Sequence, residues 1–304
     1  IDTWGTTNWI EVSRNDGDEI TGLRVLGDRL VIYKNTSIWI VLFTGDSNIP
    51  FVLQKTNSPV GCVSPYSIQS MENGQVFVSQ DGFYFFDGWN SYKISDKITN
   101  TFNGLNDEKL HLITSMYQRK KNMYWVGCAS GSSLYNNFIL GWNSQLNAWT
   151  KYTGMSPSNM SIFMVNGTEE RPYFIDYLGY AYRADNGTDD YPANTQTAVD
   201  AYYWSNWKSY DDVCDKKGIP HAYVIHKAET ATNLSFKYAY DFYNGDQYTQ
   251  TFSLATVQSA TSYTARRDLT GRGNFVRFGF ANNESTTSFR LDGLGTYVTL
   301  ESKS

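Results

Sequence analysis

Apolar and polar residues alternate along most of the chain with the period of two that marks half-buried strands, and helical spacing is scarce. The alternating runs come in hairpins with a second turn close behind. The first is Leu23-Arg24-Val25-Leu26, a turn at Gly27-Asp28, then Leu30-Val31-Ile32-Tyr33, a second turn at Lys34-Asn35, and Ser37-Ile38-Trp39-Ile40-Val41. The second is Ser67-Ile68-Gln69-Ser70, a turn at Asn73-Gly74, then Val76-Phe77-Val78, a second turn at Asp81-Gly82, and Phe83-Tyr84-Phe85-Phe86. Asn-Gly and Asp-Gly are strong hairpin signals, because both central residues of a two-residue turn take positive φ. The third runs from Leu112 through Tyr117, turns near Lys120, and continues through Asn122–Val126, Asn137–Trp142 and Ala148–Tyr152. The fourth is Ser161–Val165, a turn at Gly167 to Glu170, Pro172–Ile175, a turn near Leu178-Gly179, and Tyr180–Tyr182.

The first turns, at 28, 74, about 120 and about 168, recur every 46 to 48 residues. That is the period of a propeller blade, a four-stranded sheet that buries its faces only against neighbours. Asn8–Val12 reads as the outer strand of an earlier blade, and further blades before Ile1 are expected to complete the ring. Near residues 186–197 the pattern breaks into the polar, turn-rich Asn186-Gly187-Thr188-Asp189-Asp190-Tyr191-Pro192. Longer alternating strands follow, from Ala201–Trp204 to Thr296–Leu300. The predicted class is all-β: propeller blades over 1–185 with an approximately 46-residue repeat, a linker over 186–197, and a β-sandwich, jelly-roll-like or immunoglobulin-like, over 198–304.

Composition sharpens this picture. Charged residues are 18% of the chain and aromatics 16%, with 23 Tyr, which suits half-buried strands and broad subunit contacts. The net charge of −5 gives no general attraction to nucleic acid. The basic run Arg119-Lys120-Lys121 falls in a turn, where lysines are solvated. Cys62, Cys128 and Cys214 are odd in number and lack CxxC spacing, which argues against a disulfide framework and a structural zinc, and fits a reducing cytoplasm. No apolar run approaches the ~20 residues of a membrane span.

The candidate chemistry has local explanations. Asn15-Asp16-Gly17-Asp18-Glu19 lacks the twelfth-position Glu of a calcium loop and reads as an acidic turn. Ser79-Gln80-Asp81-Gly82-Phe83 resembles the sialidase Asp-box turn without its Trp. Glycosidases need two facing carboxylates, and Asp87, Asp176 and Asp185 are candidates that sequence does not pair. His221 and His226, five residues apart on a strand, point to opposite faces, and His111 stands alone. Gly271-Arg272-Gly273 reads as a turn with an exposed Arg rather than an anion site. Asn-x-Ser/Thr sites at Asn35, Asn159, Asn166, Asn186, Asn233 and Asn283 arise by chance in so Asn-rich a chain. No metal-binding or catalytic motif is present, so the expectations are a non-enzymatic protein with no catalytic, metal or cofactor-binding residue and no cofactor.

Two stretches carry a resemblance. One runs from Asp16-Gly17-Asp18-Glu19-Ile20-Thr21-Gly22 to Lys34, then Ser37-Ile38-Trp39, Ser58-Pro59-Val60-Gly61-Cys62-Val63-Ser64-Pro65-Tyr66 and Asp81–Gly88. The other runs from Arg267-Asp268-Leu269-Thr270-Gly271-Arg272-Gly273 to Phe278 and ends in Phe289–Leu294. Together the chain resembles the β-propeller tail proteins of short-tailed bacteriophages, of the tail-nozzle and packaged-DNA-stabilisation type. The resemblance implies a virion structural protein assembled in the bacterial cytoplasm. It implies a homo-oligomeric, commonly hexameric, ring below the portal and adaptor, with tail fibre proteins as further partners. Such a ring surrounds the DNA exit channel and retains the genome until ejection, passing double-stranded DNA without tight binding; a negative protein suits that, since each Lys/Arg–phosphate contact would add affinity. The alternative is a secreted or surface propeller that binds or hydrolyses carbohydrate. There Trp89, Trp142 and Trp204 would stack on sugars, while Trp125 and Trp149, in blade-like strands, belong to the core.

Overall fold

A computed structural model of the chain describes residues 9–190, 195–210, 213–228, 232–254, 262–285, 287 and 289–300. It divides into two compact units at Asp185/Asn186.

The first unit is a series of antiparallel meanders, each strand pairing with the next in sequence. Blade one is Ile20–Leu26, Arg29–Lys34, Ile38–Phe43 and Phe51–Lys55. Blade two is Gln69–Met71, Gly74–Ser79, Gly82–Phe86 and Ser91–Lys93. Blade three is Thr114–Gln118, Met123–Cys128, Phe138–Asn143 and Ala148–Thr153. Blade four has three strands, Pro157–Val165, Glu169–Asp176 and Ala181–Arg183. The expected earlier strand differs: Trp9–Val12 forms none.

The turns hold two different uses of glycine. Gly27 sits at φ +62 with open space around it, as a hairpin turn requires. Gly74 and Gly82 were expected in the same role, but neither has positive φ and each begins a strand. A Cβ on Gly74 would lie 2.3 Å from the Phe86 carbonyl oxygen, and one on Gly82 would lie 2.5 Å from Ser95 Oγ. Close packing, not turn geometry, calls for glycine there.

Strand alternation gives each blade two usable faces, and three shared cores join the four blades in order. Val31, Tyr33, Ile38 and Ile40 of blade one meet Phe77, Tyr84 and Phe86 of blade two. Tyr33 and Phe77 approach to 5.2 Å between ring centroids, and Tyr33 Oη donates to Gln75 Oε1 at 2.7 Å. The opposite face of blade two, Val76, Val78 and Phe83, meets Tyr124, Val126, Leu140 and Trp142 of blade three, sealed by Phe102, Leu105 and Leu110 from the connecting segment. Met116, Trp125 and Ile139 of blade three then meet Met160 and Phe174 of blade four. Side chains also tie the first strands together: Arg24 Nε donates to the Ile68 carbonyl, and Gln69 Nε2 to the Ser115 carbonyl. This is β-propeller packing, built from the repeat the turns announce.

The second unit is a β-sandwich. One sheet has the order Ala201–Trp204, Val276–Asn282, Thr232–Tyr240, Tyr248–Leu254. In the other, Lys217–Ala228 pairs with Tyr263–Asp268 and Arg272–Gly273 along one edge and with Phe289–Leu300 along the other. The faces meet over Ala222, Val224, Leu234, Phe236, Tyr238 and Phe278. Within the stretch expected to be a linker, Asp189–Asp190 pairs with Thr197–Ala198; its residues 191–194 lie outside the described residues.

Candidate functional site

The acidic candidates are each consumed locally. Lys34, at the end of a buried strand, is 1% exposed, and its Nζ meets both Asp16 carboxylate oxygens, at 2.7 and 2.5 Å. That bond and the Asp18 amide hold the Asp16 carboxyl down at about 2. Asp18 accepts from the Thr36 amide and from the Thr36 and Ser37 hydroxyls. The acidic turn therefore ties residues 16–18 to blade one through an ammonium and hydroxyl donors, which is no arrangement for a cation.

Asp87 and Asp176 do one job in two blades. Asp87 accepts from the Trp89 and Asn90 amides and the Tyr92 hydroxyl. Asp176 accepts from the Leu178 and Tyr180 amides and the Tyr182 hydroxyl. Asp185 pairs with Lys121. Burial raises the Asp87 carboxyl, but its amide donors outweigh burial and hold it below the ordinary value. Asp81 is likewise held low, burial being outweighed by the Tyr84 hydroxyl and Lys93. A glycosidase acid needs a carboxyl raised towards neutrality, so neither is suited to that role. Asp190 is raised, by burial and by the adjacent Asp189, and sequence reasoning passed over it. Among the described residues no three His, Cys, Asp or Glu side chains converge as a metal group.

The remaining candidates separate in the same way. His226 is 4% exposed, on the sandwich core face with Val224, while His221 stacks on Tyr297 at 5.2 Å on the other face. Trp142, expected as an exposed sugar platform, is 6% exposed and packs between blades two and three; its strand is covered on that face, which periodicity alone does not reveal. Trp204 is half-buried with the Arg277 guanidinium 4.3 Å from its ring centre, so a cation already occupies one face. Trp89 remains 38% exposed. Trp125 is buried and Trp149 half-buried in the cores, as their strands require. Arg272 lines a groove of about 320 Å³ with Gly218, Pro220, Thr270 and Thr299. Burial pushes the Cys62 thiol up to about 11 and raises Cys128 further, which removes both as nucleophiles near neutral pH.

What sequence reasoning did not single out is a surface. The register of blade one places Leu23, Val25, Leu30, Ile32, Trp39, Val41, Phe43, Phe51 and Leu53 on the face opposite its shared core. Val25 is 64% exposed, Phe43 68% and Phe51 51%, and they border an apolar groove of about 300 Å³. Two charged side chains stand on that face by the same register: Lys34, buried against Asp16, and Lys55, whose Nζ lies over the Trp39 ring. The signal was available: the strands of blade one are apolar at both alternations, the pattern of a sheet covered on both sides.

No protein-family model matches the chain, and no curated protein matches it. Among solved structures, the chain is similar to a glycoside hydrolase family 43 arabinoxylan arabinofuranohydrolase from Bacillus subtilis, at 10% identity and a TM-score of 0.25, over 90% of this chain and 78% of that one. It is also similar to an exo-β-1,3-galactanase from Phanerochaete chrysosporium, at 9% identity and a TM-score of 0.21, over 91% of this chain and 95% of that one. Likeness at this level transfers no residue and no substrate. Both neighbours are enzymes, however, and neither is a phage tail protein, so the expectation of a non-enzymatic chain is withdrawn. That expectation rested on missing motifs, and a pair of carboxylates brought together by folding leaves no motif in the sequence.

Proposed function

We propose that the chain is a structural subunit of a multi-copy assembly, of the kind formed by the tail propellers of short-tailed bacteriophages. The observation that carries this reading is the open face of blade one, where Leu23, Val25, Phe43 and Phe51 each expose half or more of their surface. Contiguous apolar surface of this extent marks a contact with another protein. The resemblance of residues 16–304 to tail propellers supplies the setting, and the net charge of −5 suits a wall that lets DNA pass. Light scattering on the purified chain tests it: the expected mass is a multiple of 34.6 kDa. A monomer at every concentration up to the solubility limit, or tight duplex binding that falls steeply with salt, counts against it.

A second reading, a carbohydrate-binding or carbohydrate-hydrolysing propeller, is favoured by one site. Trp89 is 38% exposed, its carbonyl accepts from the Asn57 amide at 3.1 Å, and the Asn57 side chain donates to that of Asn90, the next residue, at 3.0 Å. An exposed aromatic side chain with amide groups on neighbouring residues is suited to a sugar ring. This reading is also of the same class as the two glycoside hydrolases above. Glycan-array binding lost in Trp89→Ala, or release of sugar from arabinoxylan or galactan, would favour it over assembly.

A further inference from the structure

We infer that the second unit binds a neutral sugar ring on the outer face of the sheet formed by Lys217–Ala228, Tyr263–Asp268 and Phe289–Leu300. The inference goes beyond the assembly reading, and it shares a ligand class with the second reading but none of its residues. Strand register sets the face. His221 stands opposite Asp268 on one neighbour and Tyr297 on the other, and Tyr223 stands opposite Arg266 and Gly295. Directly opposite residues share a face, and Ala222 and Val224 lie in the core, so the side chains of this set point outward. The His221 and Tyr297 rings stack at 5.2 Å with 10° between their planes, and Tyr297 stays 56% exposed. Gly295, two residues before it on the same face, puts no side chain against that ring.

A groove opens at the end of this face. The register slips between Gly218 and His221, and the bulge at Ile219-Pro220, the loop Leu269–Arg272 and Thr299 enclose about 320 Å³. That lies at the lower end of the ~300–1,000 Å³ of small-molecule sites. The lining runs directly into the aromatic row: Pro220 precedes His221, Leu269 follows Asp268, and Thr299 shares the face of Tyr297. The loop is fixed in advance. The Leu269 amide donates to the Pro220 carbonyl at 2.8 Å, and the Thr270 amide to the buried Tyr238 hydroxyl at 3.1 Å. Gly271, at φ +97, packs so close to Tyr240 that a Cβ would lie 2.9 Å from its ring. A site held this way loses little freedom on binding.

The chemistry selects the occupant. A sugar presents an apolar C–H face and a rim of hydroxyls. Tyr297 offers the aromatic face, and the Thr270 and Thr299 hydroxyls and the Arg272 guanidinium line the groove. Asp268 adds an acceptor: both Arg266 bonds reach its Oδ1, at 3.1 and 3.0 Å, and Oδ2 accepts from no described residue. Its side chain is 78% exposed and opposes a phosphate or a second acid, so a neutral ring suits the site better than a nucleotide. Thr264, Arg266 and Asp268 along one side deny the face the apolar centre of a protein contact.

The test is a glycan array of neutral and sialylated oligosaccharides probed with the purified chain, followed by calorimetry with the neutral glycan retained best. The expected result is binding that falls about tenfold or more in Tyr297→Ala and in Arg272→Ala, and is kept in Tyr297→Phe and in Trp89→Ala, with unchanged circular dichroism. Glycan binding lost in Trp89→Ala but unchanged in Tyr297→Ala would overturn this site and leave the carbohydrate reading intact. Retention of sialylated glycans alone, or of mononucleotides in preference to neutral glycans, would overturn the assigned ligand. An array with no retained glycan would overturn both the site and the carbohydrate reading, without bearing on assembly.

Discussion

At the scale of single residues, Lys34 shows how a charge is kept inside a blade. Its ammonium is buried against Asp16, and Asp16 reaches it only because the chain before blade one folds back over the turn between the second and third strands. Removing one partner of such a pair leaves an uncompensated buried charge, which costs far more than a surface ion pair. The Asp16 carboxyl is lowered from 3.8 to about 2, so its contribution to stability is fully present above the ordinary value and is lost as pH falls from about 4 towards 2. Asp16→Asn should lower the melting temperature by several degrees at pH 7, with the gap to the parent protein closing near pH 2; calorimetry across pH checks this. The cysteines give a second residue-scale prediction. Cys214 is exposed while Cys62 and Cys128 are buried with raised thiols, so a thiol reagent at pH 8 should modify one site in the native protein and three after denaturation.

At the scale of elements, the blades depend on glycines that admit neighbouring backbone. A Cβ at Gly61 would lie 2.1 Å from the Lys34 carbonyl oxygen, the same oxygen that accepts from the Cys62 amide. Gly61→Ala must displace the turn that positions Lys34, and the expected loss is about 1–3 kcal/mol. Gly27→Ala meets no neighbour within 4 Å and strains only its own backbone at φ +62, so its cost should be smaller, about 1 kcal/mol. Denaturant unfolding of the two variants separates packing glycines from turn glycines. Between blades, Phe83 contacts Phe102, Trp149 and Tyr124 at centroid distances of 5.5, 5.2 and 6.5 Å. Phe83→Ala should cost about 3–5 kcal/mol, because a rigid four-ring cluster cannot collapse into the cavity.

At the scale of the whole molecule, the apolar face of blade one is exposed among the described residues. Phe43→Ser on that face should change stability by no more than about 0.5 kcal/mol, since it breaks no shared core. The same change should reduce binding of an apolar dye such as anilinonaphthalene sulfonate. If the dye signal is unchanged while the melting temperature drops, the face is already covered in solution.

The alternation of Leu23 to Val41, Val76 to Phe86 and Tyr124 to Trp142, with turns at a constant interval, was enough to specify small antiparallel sheets stacked as blades, because strand period and turn chemistry are local properties. The opposite faces of His221 and His226 followed from the same period. Tertiary structure alone decided what those side chains meet. Trp142 and Trp89 are equally aromatic in sequence, yet one is sealed by the preceding blade and the other is left outside, since burial depends on residues far along the chain. Asp87, Asp176 and Asp185 were equal candidates for catalysis until folding gave each its own donors, within the blade for Asp87 and Asp176 and from the blade-three turn at Lys121 for Asp185. The apolar face of blade one was written in its strands, but only the arrangement of the four blades left it open.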